Sequence, residues 1–224
     1  IIMKKKSPKY IYNGIFNSYR SCIKKKNYSF YLDKFYENRQ KQIIKKILKS
    51  IASKKPILSF HKQHTQYLIN MISIIKKEKI NILDIGGGWG VGYANCLEAF
   101  NKKKISNLNY HIFDLKNVCA LGEKHFKKKL RFRAKLKYID SLNKISSVKY
   151  DIIFFGSSLQ YFSNPFVELK KILKINSSLL LFVDTYLTST ETFFTFQKYY
   201  KSGVPHSFLN KKKFLSILQK SYTL

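Results

Sequence analysis

The sequence predicts an α/β fold in which a doubly wound, mostly parallel sheet follows a helical N-terminal prefix. Three observations carry that reading. An apolar run at 80–85 breaks on a glycine cluster (Gly86, Gly87, Gly88, Gly90), and a helix-compatible segment from Val91 to Phe100 follows at once. Further apolar stretches at 150–155 and 178–183 are nearly continuous, as strands buried on both faces must be. Helical patterns separate these stretches, and strand–helix alternation is the mark of a parallel sheet. The expected boundary lies at 78/79, with a helical prefix or cap over 1–78 and the sheet domain over 79–224.

In the prefix, Ile1-Ile2-Met3 does not read as a native initiation, so a fragment or an unusual start codon is expected. Residues 10–19 form an aromatic segment that bends at Gly14. A helix is expected over 31–52, where Ile43, Ile44, Ile47, Leu48 and Ile51 recur at helical spacing, and Pro56 ends it. A second is expected over 61–77, with Tyr67, Leu68, Met71, Ile72 and Ile75 on one face. Its His61 and His64 stand three apart, but no nearby Cys, Asp or Glu completes a metal set, so no metal is predicted. They read as surface histidines or as a polar contact over a ligand.

The glycine cluster is where backbone can approach a ligand at a strand's carboxyl end, because glycine accepts positive φ and has no Cβ. The dinucleotide pattern G-x-G-x-x-G is absent: its third position falls on Val91 or Tyr93 in the two available registers. What stands there is Asp84-x-Gly86-x-Gly88-x-Gly90. After a lysine-rich loop at 101–108, residues 109–114 read as a strand closing on Asp114. In doubly wound folds an acid at that point takes ribose hydroxyls. A helix at 117–127 comes next. Alternation of Phe132, Ala134, Leu136 and Tyr138 with Arg133, Lys135 and Lys137 then marks a strand near a sheet edge, followed by Asp140-Ser141. The strand at 150–155 leads into a polar loop, Gly156 to Asn164, and a helix at 165–174 with Pro165 in its first position. The strand at 178–184 ends in Asp184. Beyond it lie a Thr- and aromatic-rich tail and a final helix near 210–219. Ser221–Leu224 reads as the start of a further strand.

Composition bounds the chemistry. Cys22, Cys96 and Cys119 show no paired spacing, which excludes a disulfide framework or a thiolate zinc site and fits a reducing, cytoplasmic compartment. The Lys4–Lys6 cluster leads into no apolar core of a signal peptide, and the longest apolar runs are far too short to span a membrane. Lys+Arg number 43 against 12 Asp+Glu, a formal charge of +31. Such an excess attracts nucleic acid or, weakly, an anionic membrane surface. However, the lysines spread along the whole chain, and Lys, Ile, Asn, Phe and Tyr are the residues of A/T-rich codons. Codon drift accounts for the charge without a binding face, and nucleic acid is not the favoured partner.

The pattern Asp84-x-Gly86-x-Gly88-x-Gly90 resembles the first motif of class I S-adenosylmethionine-dependent methyltransferases, whose fold is Rossmann-like. The chain also resembles a narrower methyltransferase family found among bacterial surface-polysaccharide genes. The shared pieces are Tyr12-Asn-Gly14-Ile-Phe, Leu83-Asp84-Ile-Gly86-Gly-Gly88, Ser158-Leu159-Gln160-Tyr161 with Asn164-Pro165, Asp184, Thr195-Phe-Gln197 and Pro205. Asp184-Thr185-Tyr186 departs from it, since an arginine usually follows the acid. The resemblance implies methyl transfer from S-adenosyl-L-methionine to a hydroxyl of a sugar or glycan precursor. Asp84, Gly86, Gly87, Gly88, Gly90, Asp114, Asp140, Ser141 and Ser158 are the implied cofactor residues. Gln160, Tyr161, His206 and Asp184 are the implied catalytic ones, His206 and Asp184 as base candidates. It also implies that a closing sheet hairpin lies beyond Leu224. Two alternatives are an RNA-modifying methyltransferase and a non-catalytic or incomplete relative.

Overall fold

The structure, a computed structural model, describes residues 11–24, 34–56, 62–130, 135–145, 148–199 and 202–223. Its contacts group the chain otherwise than at residue 78, into two compact units. The larger runs from 31 to 159 and from 166 to 185. The smaller joins the N-terminal 30 residues, 160–165 and 186–224.

The larger unit is the doubly wound fold. Its strands are β2 (Ile80–Ile85), β3 (Leu108–Phe113), β4 (Leu136–Ile139), β5 (Tyr150–Gly156) and β6 (Ser177–Val183). They lie in the order β4-β3-β2-β5-β6, and every pair is parallel. The chain starts in the middle at β2, steps outward to β4, then returns to the other side of β2 with β5. That Rossmann-like order places a topological switch point between β2 and β5. Both parities of β2 and β5 are buried, so both faces of the sheet centre are covered.

The helices of this unit are α2 (Lys34–Ala52), α3 (Lys62–Ile74), α4 (Val91–Ala99), α5 (Lys102–Ser106), α6 (Lys116–His125) and α7 (Pro165–Ile172). Ile44 and Ile47 of α2, Leu68 and Ile72 of α3, and Ala94 and Cys96 of α4 join Ile82, Tyr110 and Ile152 in one core. The expected α2 stripe is therefore a buried face, whereas on α3 Leu68 and Ile72 are buried as expected but Tyr67 is 60% exposed and Ile69 is buried instead. The lysine-rich loop expected at 101–108 instead contains α5. Asn101 caps it by accepting from the Lys104 amide at 2.9 Å, a local signal that composition concealed. The entry of β2 is tied to β5 by Asp151, only 6% exposed, which accepts from Lys77 Nζ and, at 2.9 Å, from the Asn81 amide.

The smaller unit has a sheet of its own, formed by β1 (Tyr12–Phe16), β7 (Leu187–Thr188), β8 (Phe193–Tyr199) and β9 (Ser202–Asn210) in the order β1-β8-β9-β7. Helices α1 (Tyr19–Lys24) and α8 (Lys211–Leu218) complete it. The expected bend at Gly14 is a kink within β1, with φ of 82° and a register shift against β8. The Thr- and aromatic-rich tail holds the β8–β9 hairpin. Residues 219–223 form a turn, and no strand starts there. Among the described residues no helix is long and apolar enough to cross a membrane.

Replacing Asp151 by alanine strands the part-buried Asn81 amide at the base of the sheet, while the exposed Lys77 ammonium turns to solvent. The expected loss is about 1–3 kcal/mol of unfolding free energy. It should be read from urea titrations as a lower midpoint with an unchanged slope.

Candidate functional site

Parallel strands end on one side, so the turns after β2, β3, β4, β5 and β6 share an edge of the larger unit. The glycine turn follows β2, and Asp114 follows β3. Asp140 and Ser141 follow β4, Ser157 and Ser158 follow β5, and Asp184 follows β6. The first and fourth of these turns flank the switch point.

Gly86, Gly88 and Gly90 have φ of 70°, 59° and 98°, which L side chains rarely adopt. Their surroundings differ. A Cβ on Gly86 would lie 2.5 Å from Ser158 Cβ, one on Gly87 2.5 Å from Asp84 Oδ2, and one on Gly90 2.8 Å from the Phe126 ring. A Cβ on Gly88 would meet nothing within 4 Å. The turn is thus packed at three glycines and open at the fourth. Trp89, the bulky residue between them, does not block it. Its indole is buried in the core and stacks on His125 at 5.4 Å, while its carbonyl accepts from Tyr138 Oη at 2.8 Å.

Asp84 lies beneath the turn, 3% exposed. Tyr110 Oη donates to its Oδ2 at 2.7 Å. Burial pushes this carboxyl up to about 7, with the tyrosine bond opposing and nearby Asp114 adding to the rise. Asp114 is half-buried. Its Oδ2 accepts from the Gly88 amide at 2.9 Å and its Oδ1 from the Leu115 amide at 2.7 Å. Burial again dominates and pushes it up to about 6 against those two donors. Ser158 is 7% exposed, and its Oγ has no hydrogen-bond partner among the described residues. A buried hydroxyl left without a partner costs free energy unless a ligand or water supplies one.

The remaining assigned residues on this edge are less enclosed. Asp140 pairs with Lys144, whose hydrogen bond holds the carboxyl below its usual range, and the Ser141 carbonyl accepts from the Lys144 amide at 3.2 Å. Asp184 has a left-handed backbone, φ 52°, and its Oδ2 lies 2.6 Å from His64 Nδ1. His61 lies outside the described residues.

Gln160, Tyr161 and His206 belong to the smaller unit. Gln160 is fully buried and its carbonyl accepts from Ser207 Oγ at 3.1 Å. Tyr161 Oη donates to Gln197 Oε1 at 2.8 Å. His206 is fully buried among the rings of Tyr12, Tyr161, Tyr186 and Phe208, with centroids 4.8–5.4 Å away. Neither of its ring nitrogens has a hydrogen-bond partner among the described residues. Burial pushes its pKa down to about 4, and a weak contact with its own backbone opposes this, so the ring is neutral near pH 7.

Sequence reading missed Tyr110, Tyr138 and the pairing of His64 with Asp184. Tyr110 reaches Asp84 because the parallel register sets Asp84 opposite Ile112, two residues along and on the same face. No spacing within either segment encodes that register.

No protein-family model matches the chain, and no curated protein matches it. Solved structures share parts of its shape. The YcgJ protein from Bacillus subtilis is 16% identical over 56% of this chain and 51% of its own, with a TM-score of 0.43. The CurJ carbon methyltransferase is 16% identical over 72% and 46%, with a TM-score of 0.48. The magnesium protoporphyrin IX methyltransferase from Synechocystis PCC 6803, solved with bound SAM, is 11% identical over 72% and 68%, also at 0.48. The chain spans about half the length, or less, of the first solved chains it matches. At such identities and scores these are partial likenesses of shape and carry no chemistry.

The raised Asp84 carboxyl makes a signed prediction. An unfolded aspartate titrates near 3.8 and the folded one near 7, so the native state holds the proton to higher pH. Its contribution is most favourable below about pH 4 and is lost as pH rises through about 7. Asp84→Asn removes that dependence. Relative to wild type, the variant should gain roughly 2–4 kcal/mol of unfolding free energy between about pH 4 and pH 8, measured in urea. Parallel pH curves for the two proteins would refute a raised Asp84.

Proposed function

We propose that the chain is an S-adenosylmethionine-dependent methyltransferase acting on a hydroxyl of a sugar or surface-glycan precursor. The observation that carries the cofactor reading is the open position at Gly88 beside the switch point. Two carboxyls flank its turn, and a buried hydroxyl without a partner packs against Gly86. That donor set suits a cationic nucleoside. Each Asp114 oxygen already accepts one amide and keeps a further lone pair for a ribose hydroxyl. Asp84 orders the turn and, through water, faces the amino group. Ser158 Oγ gains its missing partner, and Asp140 with Ser141 takes the adenine.

When bound, S-adenosylmethionine supplies a methyl group on an already reactive sulfonium. The protein's task is then mainly positional, and holding an acceptor oxygen in line about 3 Å from the methyl carbon removes several kcal/mol of barrier. The hydroxyl proton needs an acceptor in turn. Asp184, oriented against His64 on the same strand edge, is one candidate. His206, neutral at pH 7, is the other, though a pKa near 4 gives it little driving force as a base. Gln160 and Tyr161 stay assigned to the acceptor on the strength of the family resemblance, as does the glycan itself.

Lysine abundance supports a second reading, an RNA substrate, in which affinity collapses with salt. Calorimetry separates the two. The glycan reading expects S-adenosylmethionine to bind with little salt-sensitive affinity for RNA. Gly88→Asn provides the internal check, because asparagine tolerates the left-handed backbone at a cost of about 1 kcal/mol while filling the open position. Binding of the cofactor should fall at least about tenfold in that variant, a loss of about 1.4 kcal/mol. Unaltered binding would remove Gly88 from the site.

A further inference from the structure

Two turns on the carboxyl edge of the larger sheet carry non-glycine residues with a left-handed backbone, Ser157 at φ 60° after β5 and Asp184 at φ 52° after β6. β5 and β6 are paired, and the Ser157 amide donates to the Val183 carbonyl at 2.8 Å, so the two turns adjoin. Such conformations cost free energy and collect where a side chain has to be aimed. The Asp184 carboxylate is aimed at His64, with Oδ2 2.6 Å from Nδ1 of the ring.

His64 lies in the first turn of α3. Lys77, just beyond that helix, holds Asp151 near the amino end of β5, so α3 descends from the carboxyl edge toward the base of the sheet. Two contacts then tie His64 to the glycine turn. On one side its neighbour Thr65 accepts from Asn95 Nδ2 at 2.6 Å, and Asn95 stands on α4, the helix that begins at Gly90. On the other, Asp184 adjoins the turn after β5, where Ser158 packs against Gly86. Polar atoms on these supports lack partners: Asn95 Oδ1, Ser158 Oγ and Thr185 Oγ1 are buried with no hydrogen bond among the described residues. Groups of that kind call for a hydroxyl-bearing ligand or water. Access also separates this histidine from His206. The His206 ring is 0% exposed, while His64 and Asp184 keep 24% and 50% of their side-chain surface.

We propose that His64 takes the proton of the substrate hydroxyl, and that Asp184 is its positioning residue, holding a proton on Nδ1 so that Nε2 offers a lone pair. The inference rests on the methyltransferase reading above and deepens it by moving the base from a carboxylate to an imidazole. The partner of one ring nitrogen fixes the protonation of the other. As a lone pair of the acceptor oxygen forms the O–C bond, the C–S electron pair stays on sulfur and the hydroxyl proton passes to Nε2. The positive charge lost from sulfur reappears on the imidazolium, beside a carboxylate that stabilises it. Solvent then takes the proton and restores the neutral ring.

The test reads the tautomer first, on the full chain without ligand. Nitrogen-15 NMR of the neutral ring distinguishes a protonated nitrogen from a bare one, and His64→Gln identifies the signals that belong to His64. The expected state is a proton on Nδ1 and a bare Nε2. In Asp184→Asn the amide donates to Nδ1 and the proton moves to Nε2. Asp184→Gly keeps the left-handed backbone without strain and should leave a mixture of tautomers. Placement is read with 5′-bromoacetamido-5′-deoxyadenosine, whose electrophilic carbon stands in for the transferred methyl. Nε2 displaces bromide, and peptide mass spectrometry locates the new N–C bond. Label is expected on His64, suppressed by S-adenosylmethionine and at least about tenfold slower in Asp184→Asn. A bare Nδ1 in the wild type would overturn the inference, as would label on His206 or a lysine with His64 untouched, or no label at all. If calorimetry shows that S-adenosylmethionine does not bind, the methyltransferase reading falls and takes the base role with it.

Discussion

The hydrogen bond from Tyr110 to Asp84 is the contact on which the rest of the site depends. It holds a carboxylate beneath a glycine turn with no base beside it, so the group is stabilised by one phenol and destabilised by burial. A carboxyl in that balance stays protonated well above its ordinary range. Around it the backbone has no room to spare. A Cβ on Gly87 would lie 2.5 Å from the carboxylate, and one on Gly92 would lie 2.4 Å from the phenol oxygen. The first turn of α4 therefore approaches β2 and β3 more closely than any side chain would allow. The glycines serve that approach as much as they serve a ligand.

Electrostatics separates this edge from the surface around it. Among the described residues six acids pair with a lysine, and exposed pairs of that kind contribute little to stability. Their effect is to place the positive excess in solvent, where salt screens it. At the glycine turn burial removes that screening, and a single unit of ligand charge has more influence there than several surface lysines. A strongly basic protein can in this way present a site whose local sign is negative.

The smaller unit poses a different physical problem. His206 is enclosed by four aromatic rings with both nitrogens lacking hydrogen-bond partners, a costly arrangement for a polar group. Keeping the ring neutral reduces that cost, and its lowered pKa is the same desolvation seen from the protonation side. Its sheet joins β1 to β8 across about 180 residues of chain. Neither partner announces the other in sequence, since a short aromatic strand with a kink at Gly14 looks like a turn when read alone.

What the sequence determined by itself was local. Apolar runs, their helical or alternating period, and a glycine cluster behind an aspartate are properties of neighbouring residues. They specified the parallel five-stranded unit, the turn at 86–90 and the acids that close its strands. Tertiary structure decided whatever depends on register between distant segments. It paired Tyr110 with Asp84, brought Ser158 against Gly86 and His64 against Asp184, and left Gly88 open while its neighbouring glycines were filled. The physical reason is that solvation and hydrogen-bond partnership belong to positions in space, and chain order constrains those positions only through strand pairing and packing.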